Sequence, residues 1–280
     1  MTFNHLEYTI PSEHHTLRND SKPDIKIAFF DVDGTLRSFK EHIISQETKD
    51  AIRELRQNGI KVIVATGRQY FQLAGMTDGM EWDGYILSNG QHCLLEGADV
   101  RKQFINSEDV ARFVEIGKTK EYVIRYALED KFYVNMLTEK MIMEFNAAIV
   151  EAPTGVDLDE ININRLLQLS VDVHEEEEHA LMHNMRYSTI VRWHPDMVDI
   201  IPIDGGKGVG VQSILDALGM DARNAIAFGD GGNDVSMFET VGIGVAMGNG
   251  DAKAKGAADY ITQHVDEHGL VNGLRHFQLI

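Results

Sequence analysis

The chain has 280 residues, 43% of them apolar, so it can bury a sizeable core in one large domain or in a core domain with an inserted second one. Its 44 acidic residues exceed its 26 basic ones and give a net charge of −18, which argues against nucleic acid and against an anionic membrane as partners. The single cysteine, Cys93, excludes an internal disulfide. No apolar run could span a bilayer or serve as a signal peptide, so we predict a cytoplasmic protein.

The first elements in chain order predict a strand, a helix and a second strand. Residues 1–24 are polar and without a period, and we predict an N-terminal extension. The short apolar run Ile25–Phe30 predicts a buried strand. Ser45 is a suitable cap for a helix that Gly59 ends, and Ile60–Ala65 predicts the next buried strand. This order is typical of a parallel sheet with right-handed crossovers.

The middle of the chain, residues 90–194, has a different pattern and predicts an inserted α+β segment. Trp193, near its end, is interpreted as a hinge anchor at the return to the core rather than as a base-stacking platform. The predicted strands are Tyr122–Ala127 and Lys131–Asn135, which form a hairpin, then Leu166–Val173 and Tyr187–Trp193; the predicted helices are Ser107–Lys118, Glu139–Ile149 and Glu175–Asn184.

The last third returns to the alternating pattern. It predicts a helix at Val211–Leu218, strands at Ala225–Phe228 and Ile243–Ala246, and a short last strand at Asp259–Ile261. The fold class is therefore α/β, with a core formed by residues 25–89 and 195–280 around the inserted segment.

Two motifs follow the first two predicted strands. In Asp31-Val32-Asp33-Gly34-Thr35-Leu36, two carboxylates can enter one crevice, where a hard cation such as Mg²⁺ would relieve their repulsion. An acidic turn is the alternative for Asp-x-Asp alone, but the full motif after an apolar strand favours function. In Thr66-Gly67-Arg68, the hydroxyl and the backbone N–H groups could hold a phosphate oxygen, or Thr66 could only cap a helix. Arg68 could equally lie at the surface or in a salt bridge.

Two further motifs lie in the C-terminal third. Gly205-Gly206-Lys207-Gly208-Val209-Gly210 opens a predicted helix and combines an ammonium with a helix N-terminus, which favours an anion site. A nucleotide-binding P-loop is excluded, because Gly208 stands where Ser or Thr must follow the lysine. Gly229-Asp230-Gly231-Gly232-Asn233-Asp234 adds a third carboxylate, although a glycine-rich turn capped by Asp234 is the alternative. Loops at the carboxyl ends of parallel strands meet at one edge, so the four motifs can converge.

Together, in order and with their usual neighbours, the four motifs resemble those of the haloacid dehalogenase-like superfamily of phosphohydrolases, and most of all its Cof-type sugar-phosphate phosphatases with a type IIB cap. The resemblance covers Ile25–Gly90 and Asp199–Gly269, while the middle is similar only as an insertion of suitable length. It implies a Rossmann-like parallel-sheet core with an inserted α+β cap domain, and a Mg²⁺-dependent phosphatase that forms an aspartyl-phosphate.

The resemblance also implies roles for single residues. Asp31 is the expected nucleophile, and Asp33 is the expected general acid and base, which also offers the metal its main-chain carbonyl. Asp230 is the expected third metal ligand, and Asp234 supports the water shell of the metal. The groups expected to hold the phosphoryl group are Thr66, the backbone of Gly67, Lys207 and Asn233; Asn89, in the segment that leads into the cap, is expected near the substrate.

The expected substrate is a small phosphorylated metabolite. Sugar phosphates come first by the resemblance, with flavin mononucleotide or pyridoxal phosphate as other candidates. Two alternatives stay open from the sequence: a phosphomutase or phosphotransferase with the same intermediate, and a non-catalytic sensor of a phosphorylated ligand. The intact pair Asp31 and Asp33 disfavours the sensor. The oligomeric state is left open.

Overall fold

The structure is a computed structural model that describes residues 23–77, 79–139, 141 and 158–280. Nearly all of the predicted extension, residues 1–22, and most of the predicted helix Glu139–Ile149 lie outside these residues. Within the described residues, strands form two β-sheets, and no helix is long and apolar enough to cross a membrane.

The larger sheet forms the core and confirms the predicted fold class. Neighbouring strands of this sheet are parallel except at one edge, where the strands His92–Leu95 and Ala98–Lys102 are antiparallel. Phe30 lies beside both Val64 and Phe228, so the loops after three central strands begin at one level. Numbered in chain order, the strands of this sheet are β1 (Ile27–Phe30), β2 (Lys61–Ala65), β3 (Gly84–Leu87), β4 (His92–Leu95), β5 (Ala98–Lys102), β11 (Ala225–Gly229), β12 (Ile243–Ala246) and β13 (Tyr260–Ile261), in the spatial order β13-β12-β11-β1-β2-β3-β4-β5.

Helices pack on both faces of the core sheet. The helices of the described residues are α1 (Gln46–Gln57), α2 (Ser107–Thr119), α3 (Glu178–Leu181), α4 (Lys207–Leu218), α5 (Val235–Phe238), α6 (Ala252–Ala257) and α7 (Gly269–His276). One face is covered by α1 and α7, and the opposite face by α4, α5 and α6. Ser45 caps α1 as predicted, because its hydroxyl accepts a hydrogen bond from the backbone N–H of Thr48 at 3.1 Å. The helix predicted to start at Val211 begins one turn earlier, at Lys207.

The smaller sheet is antiparallel. Its strands are β6 (Ile124–Ala127), β7 (Phe132–Val134), β8 (Gln168–Asp172), β9 (Ser188–His194) and β10 (Met197–Pro202), in the order β7-β6-β8-β10-β9. The predicted hairpin is therefore confirmed as β6 and β7. Strand alternation sends apolar side chains, such as Tyr126 and Leu169, into a core shared with α2. The other face, here named the open face, carries Arg125, Gln168, Ser170 and Asp199.

The helix predicted at Glu175–Asn184 is wrong in its extent. The chain forms a 3₁₀ turn at Glu175–Glu177 and then the single turn of α3, in which Leu181 is the buried residue. Four adjacent glutamates repel one another, and one buried side chain gives too little packing to extend so short a helix.

The chain passes from one sheet to the other at residues that differ from the predicted domain boundaries. Strands β4 and β5, within the predicted insertion 90–194, belong to the core sheet, and β10, within the predicted core segment 195–280, belongs to the smaller sheet. The two crossing segments lie together, because the Gln103 amide donates to the Asp204 carboxylate at 2.7 Å. We propose residues 103–106 and 203–206 as the domain boundaries.

Candidate active site

A cavity of about 410 Å³ lies between the carboxyl edge of the core sheet and the open face of the smaller sheet. The loops after β1, β2 and β11 form its floor, and the open face forms its roof. Six residues predicted from the motifs line it: Asp31, Asp33, Thr66, Gly67, Asp230 and Asn233. The other two predicted residues, Lys207 and Asp234, are fully buried beneath the floor. Motifs separated by up to about two hundred positions thus meet at one edge.

Three carboxylates meet at the floor. Asp31, Asp230 and Asp234 each place one oxygen within 4.8 Å of the others, and Asp31 and Asp234 are buried. Burial and the nearby charge of Asp234 raise the pKa of Asp31 to about 7, although Lys207 opposes the change. Burial and repulsion from Asp31 and Asp234 raise the pKa of Asp230 to about 9. The cluster therefore resists carrying its full negative charge without a cation.

The donors in this cluster fit a hard divalent cation. All of them are carboxylate oxygens, which suit Mg²⁺, and a second positive charge would relieve the repulsion that raises the two pKa values. The close approach of the first loop to Asp230 also explains why a glycine stands at position 34. It has a φ of +85°, and a Cβ there would lie 2.1 Å from the Asp230 Oδ2 atom, so only glycine lets the first loop approach this carboxylate.

Lys207 already supplies one positive charge to the cluster. Its Nζ atom lies 2.6 Å from Asp31 Oδ1 and 2.6 Å from Asp234 Oδ1, and its side chain is completely buried. Burial alone would lower the pKa of Lys207, but the two carboxylates outweigh burial and raise it. The lysine is therefore protonated and held at the floor, where its ammonium adjoins the carboxylate of Asp31.

The loop after β11 holds Asp230 through Asp234. The Asp234 Oδ2 atom accepts hydrogen bonds from the backbone N–H groups of Asp230 at 2.9 Å and Gly231 at 3.0 Å. Asn249, which no motif indicated, donates from Nδ2 to Asp230 Oδ2 at 3.2 Å and to the Gly34 carbonyl at 2.8 Å. The side chain of Asp234 thus serves both as turn support and as a partner of Lys207.

Asp33 lies at the cavity wall between two arginines. Arg68 donates to it from Nε at 2.5 Å and from Nη2 at 3.0 Å, and Arg37 donates from Nη1 at 3.1 Å. Burial would raise the pKa of Asp33, but these guanidinium groups lower it. Of the two readings open for Arg68, the structure gives the salt bridge, and it adds Arg37 as a second cation that the sequence did not single out.

The roof contains polar groups that no motif indicated. Asp199 is buried on the open face and accepts hydrogen bonds from Ser170 Oγ at 2.6 Å and Asn89 Nδ2 at 2.8 Å. Burial raises the pKa of Asp199 to about 6, and hydrogen bonds from Ser170, Asn89 and Trp193 oppose the change. Gln168 accepts from the same Asn89 amide at 2.9 Å. The two contacts of Asn89 link positions that are 79 and 110 residues apart, so only the folded sheets reveal them.

Trp193 corrects one interpretation of the sequence. It is not an anchor at the return to the core, because β9 leads directly into β10 of the same sheet and the chain leaves that sheet only after Pro202. Its ring lines the cavity and is 42% exposed. An exposed tryptophan in a cavity wall is available for contact with a ligand.

Comparison with known proteins identifies the family. A family model of haloacid dehalogenase-like hydrolases matches residues 28–274, which is most of the chain. The chain belongs to this family. It is 31% identical to the HAD subclass IIB sugar phosphatase BT4131, whose structure superposes with a TM-score of 0.85 over 91% of this chain and 100% of that one.

Two further relatives agree with this assignment. BT1666 of Bacteroides thetaiotaomicron, a phosphatase of the same superfamily, is 33% identical, with a TM-score of 0.83 over 97% of this chain and 99% of that one. The 5-amino-6-(5-phospho-D-ribitylamino)uracil phosphatase YitU of Bacillus subtilis is 30% identical over 88% of this chain and 95% of that protein. As a member of this haloacid dehalogenase-like family, the chain is a phosphatase, and the Cof-type resemblance seen in the motifs is confirmed.

Proposed function

We propose that the protein is a Mg²⁺-dependent phosphatase that hydrolyses small phosphorylated metabolites through an aspartyl-phosphate on Asp31. The observation that carries this proposal is the setting of Asp31. Its carboxylate lines the cavity, is bonded to Lys207 at 2.6 Å and belongs to the cluster with Asp230 and Asp234. From this position the Asp31 carboxylate can reach a phosphorus atom in the cavity, and the Lys207 ammonium lies on its other side.

The residues that would hold Mg²⁺ are Asp31, Asp230, the main-chain carbonyl of Asp33 and, as support for bound water, Asp234. When bound, the ion supplies positive charge that offsets the repulsion between a phosphate dianion and an attacking carboxylate. The Lys207 ammonium, which is buried below the floor, also offsets this repulsion. Local charge of this kind overcomes the net charge of −18, which repels phosphates at long range.

The reaction divides into two steps on Asp31. Its Oδ atom forms a bond to phosphorus as the bond between phosphorus and the leaving alkoxide oxygen breaks, and Asp33 gives that oxygen a proton. Asp33 then takes a proton from the water that attacks phosphorus, which releases phosphate and restores Asp31. Each proton transfer contributes about 10²–10⁴-fold to the rate. The arginines that hold Asp33 ionised favour the second step. For the first step Asp33 must carry the proton that it took from water in the preceding turnover, and we propose that a bound phosphate dianion draws Arg68 away so that Asp33 keeps it.

Thr66, the backbone of Gly67 and Asn233 are proposed to hold the phosphoryl oxygens. Thr66 is buried at the floor with its hydroxyl toward the backbone N–H of Arg68 at 3.2 Å, and all three residues line the cavity. Their hydrogen-bond groups form a compact anion pocket, and the buried Lys207 ammonium adds positive charge from below the floor, which is the chemistry that a phosphomonoester requires.

The cavity supports a small metabolite as substrate. About 410 Å³ accommodates a phosphorylated sugar or a molecule of similar size. Sugar phosphates come first, because BT4131 is named a sugar phosphatase, and the phosphorylated ribityl compound named for YitU is a second candidate. The cytoplasmic location predicted from the sequence stays a prediction, which fractionation of cells would test.

Hydrolysis of p-nitrophenyl phosphate is the first test. With Mg²⁺, we expect one phosphate for each p-nitrophenol released, and we expect EDTA to stop the reaction and added Mg²⁺ to restore it. Equal release shows that water is the acceptor, whereas a phosphotransferase would release less phosphate than p-nitrophenol. Undiminished activity in EDTA would contradict the proposed metal. A panel of phosphorylated metabolites, ranked by kcat/KM, then identifies the substrate class.

Thermal unfolding tests the metal site without catalysis. The pKa of Asp230 rises from 3.8 to about 9 on folding, so the folded chain holds this proton more tightly than the unfolded chain. The stability that results is complete below about pH 4 and is lost as the pH rises through 9. We therefore expect the metal-free Tm to fall between pH 6 and pH 9, and saturating Mg²⁺ to raise it by about 5–10 °C at pH 9 but much less at pH 6. In Asp230→Asn, the effect of Mg²⁺ should be smaller and should depend less on pH, and the remaining dependence comes from Asp31, whose pKa burial raises to about 7; a dependence as large as in the wild type would exclude this site.

A further inference from the structure

The carboxylate of Asp199, on the open face of the cap, is linked to the phosphate side of the site by two side-chain amides in series. Asp199 lies on β10 with 3% of its surface exposed, and its hydrogen-bond partners are neutral groups: the Ser170 hydroxyl, the Asn89 amide and the Trp193 indole. A buried carboxylate whose hydrogen-bond partners are all neutral is costly to maintain, and the charge of Arg125 on the same face offsets only part of that cost. The mechanism proposed above assigns it no role.

Asn89 connects this carboxylate to the core. It lies in the turn after β3, is completely buried and has the left-handed φ of 51°. Its Nδ2 atom donates to Asp199 Oδ2 at 2.8 Å and to Gln168 Oε1 at 2.9 Å, so both amide hydrogens point to the cap. An ionised carboxylate can only accept, and reversing the amide would place Oδ1 against it. Gln168 could reverse its own amide and donate instead, whereas Asp199 cannot, so Asp199 is the partner that determines which way the Asn89 amide points.

The orientation of Asn89 determines that of Asn233 in turn. With its nitrogen toward the cap, Asn89 presents Oδ1 to the Asn233 Nδ2 atom at 3.2 Å. The Asn233 Oδ1 atom turns back to its own loop, 2.8 Å from where a Cβ on Gly231 would lie. The N–H end of Asn233 therefore lies between Asn89 and the cavity, and one of its hydrogens stays available to an anion.

We propose that Asp199 is a positioning residue, which orients Asn89 and through it Asn233, so that the pocket presents an N–H donor to the phosphoryl group when the cap lies on the core. Asp199 belongs to the cap, whereas Asn89 and Asn233 belong to the core. The Asn233 donor is therefore placed only when the cap and the core are in contact. The inference rests on the proposed function, since it needs a phosphoryl group beside Asn233.

A different role for Asp199 would give a different result. Since Asp199 lines the cavity, it could instead accept a hydrogen bond from a hydroxyl of the substrate. That role would affect hydroxylated substrates only. Positioning of Asn233 affects every phosphate ligand, including those that have no hydroxyl group on the leaving side, such as p-nitrophenyl phosphate and inorganic phosphate.

The test compares Asp199→Leu, which has a similar volume and no hydrogen-bond acceptor for Asn89, with wild type in the presence of Mg²⁺. We expect kcat/KM for p-nitrophenyl phosphate to fall by about tenfold or more, and the Kd of inorganic phosphate, measured by calorimetry, to rise by about tenfold, as for loss of a hydrogen bond to a charged group. In an Asn89→Ala background, the same change should have less than about a twofold further effect, because the connecting amide is absent.

Asp109→Leu is the matched control for a purely structural loss. Asp109 is another fully buried carboxylate of the cap, and it accepts hydrogen bonds from Ser188 Oγ and from the backbone of Arg186 and Tyr187, on the far side from the cavity lining. We expect it to lower Tm while phosphate binding stays within about twofold of wild type.

The outcomes separate this inference from the proposed function. An Asp199→Leu protein that binds phosphate as wild type does, or that loses activity only toward hydroxylated substrates, overturns the positioning role, and so do additive effects with Asn89→Ala. If wild type binds phosphate but hydrolyses nothing, the proposed function fails, and the calorimetric comparison still decides the role of Asp199. A wild type that binds no phosphate overturns both.

Discussion

The Asp31→Asn protein should fold as the wild type does and lose turnover of p-nitrophenyl phosphate by at least about 10⁴-fold, the scale of losing a covalent nucleophile. An amide has the shape of the carboxylate but neither its charge nor its nucleophilic oxygen. The change also removes one of the three carboxylates that repel one another at the floor. We therefore expect the metal-free Tm to stay near that of the wild type, although Lys207 loses one of its two charged partners.

The measurement is single-turnover kinetics together with a thermal melt of the same preparation. Asp50→Asn is the matched control, because Asp50 is an exposed carboxylate on α1 that binds Arg53 and is remote from the cavity lining. It should leave kcat within about twofold of wild type. An Asp31→Asn protein with more than about a tenth of wild-type turnover would remove Asp31 from the role of nucleophile, whatever its Tm.

The sequence predicts this site well because a strand and the loop that follows it can be recognised from a short stretch of the chain. A short apolar run followed by Asp-x-Asp-Gly-Thr identifies both a buried strand and the loop at its carboxyl end, and the parallel order brings such loops to one edge. For that reason Asp31, Thr66 and Asp230 could be expected together before any coordinates were known. The same reasoning gives the helix that begins near Lys207, since glycines and a following apolar period are visible in the chain.

The sequence does not predict which side chains from distant positions contact each other. Nothing near Arg68 indicates that it binds Asp33, 35 positions away, and nothing near Asn89 indicates Asp199, 110 positions away. These contacts depend on the order and register of the strands, which alternation alone does not fix. The assignment of β10 to the smaller sheet is of the same kind. No strand is predicted over Met197–Pro202, and only pairing with β8 and β9 shows that this run forms one in the smaller sheet.

The Lys207→Met protein should be inactive and, without metal at pH 8, less stable than wild type by about 3–5 kcal/mol, as for removing one partner from a buried ion pair. Methionine fills much the same volume, so the loss reflects charge. Two buried carboxylates, Asp31 and Asp234, would lie 4.8 Å or less apart with no cation between them. Urea denaturation measures the change, and Lys61→Met, which removes a solvent-exposed pair with Glu96, is the control expected to cost less than about 1 kcal/mol.

A second substitution separates charge from packing at this position. If the loss in Lys207→Met comes from uncompensated carboxylates, adding Asp31→Asn removes one of them, and the double variant should be more stable than Lys207→Met alone, in spite of carrying two changes. If the loss came from packing, the double variant would be no more stable than Lys207→Met. Added Mg²⁺ should likewise recover part of the lost stability in Lys207→Met, because the three carboxylates remain. An equal loss of stability in Lys207→Met with and without Asp31→Asn would show that Lys207 does not act at the floor as a counter-charge.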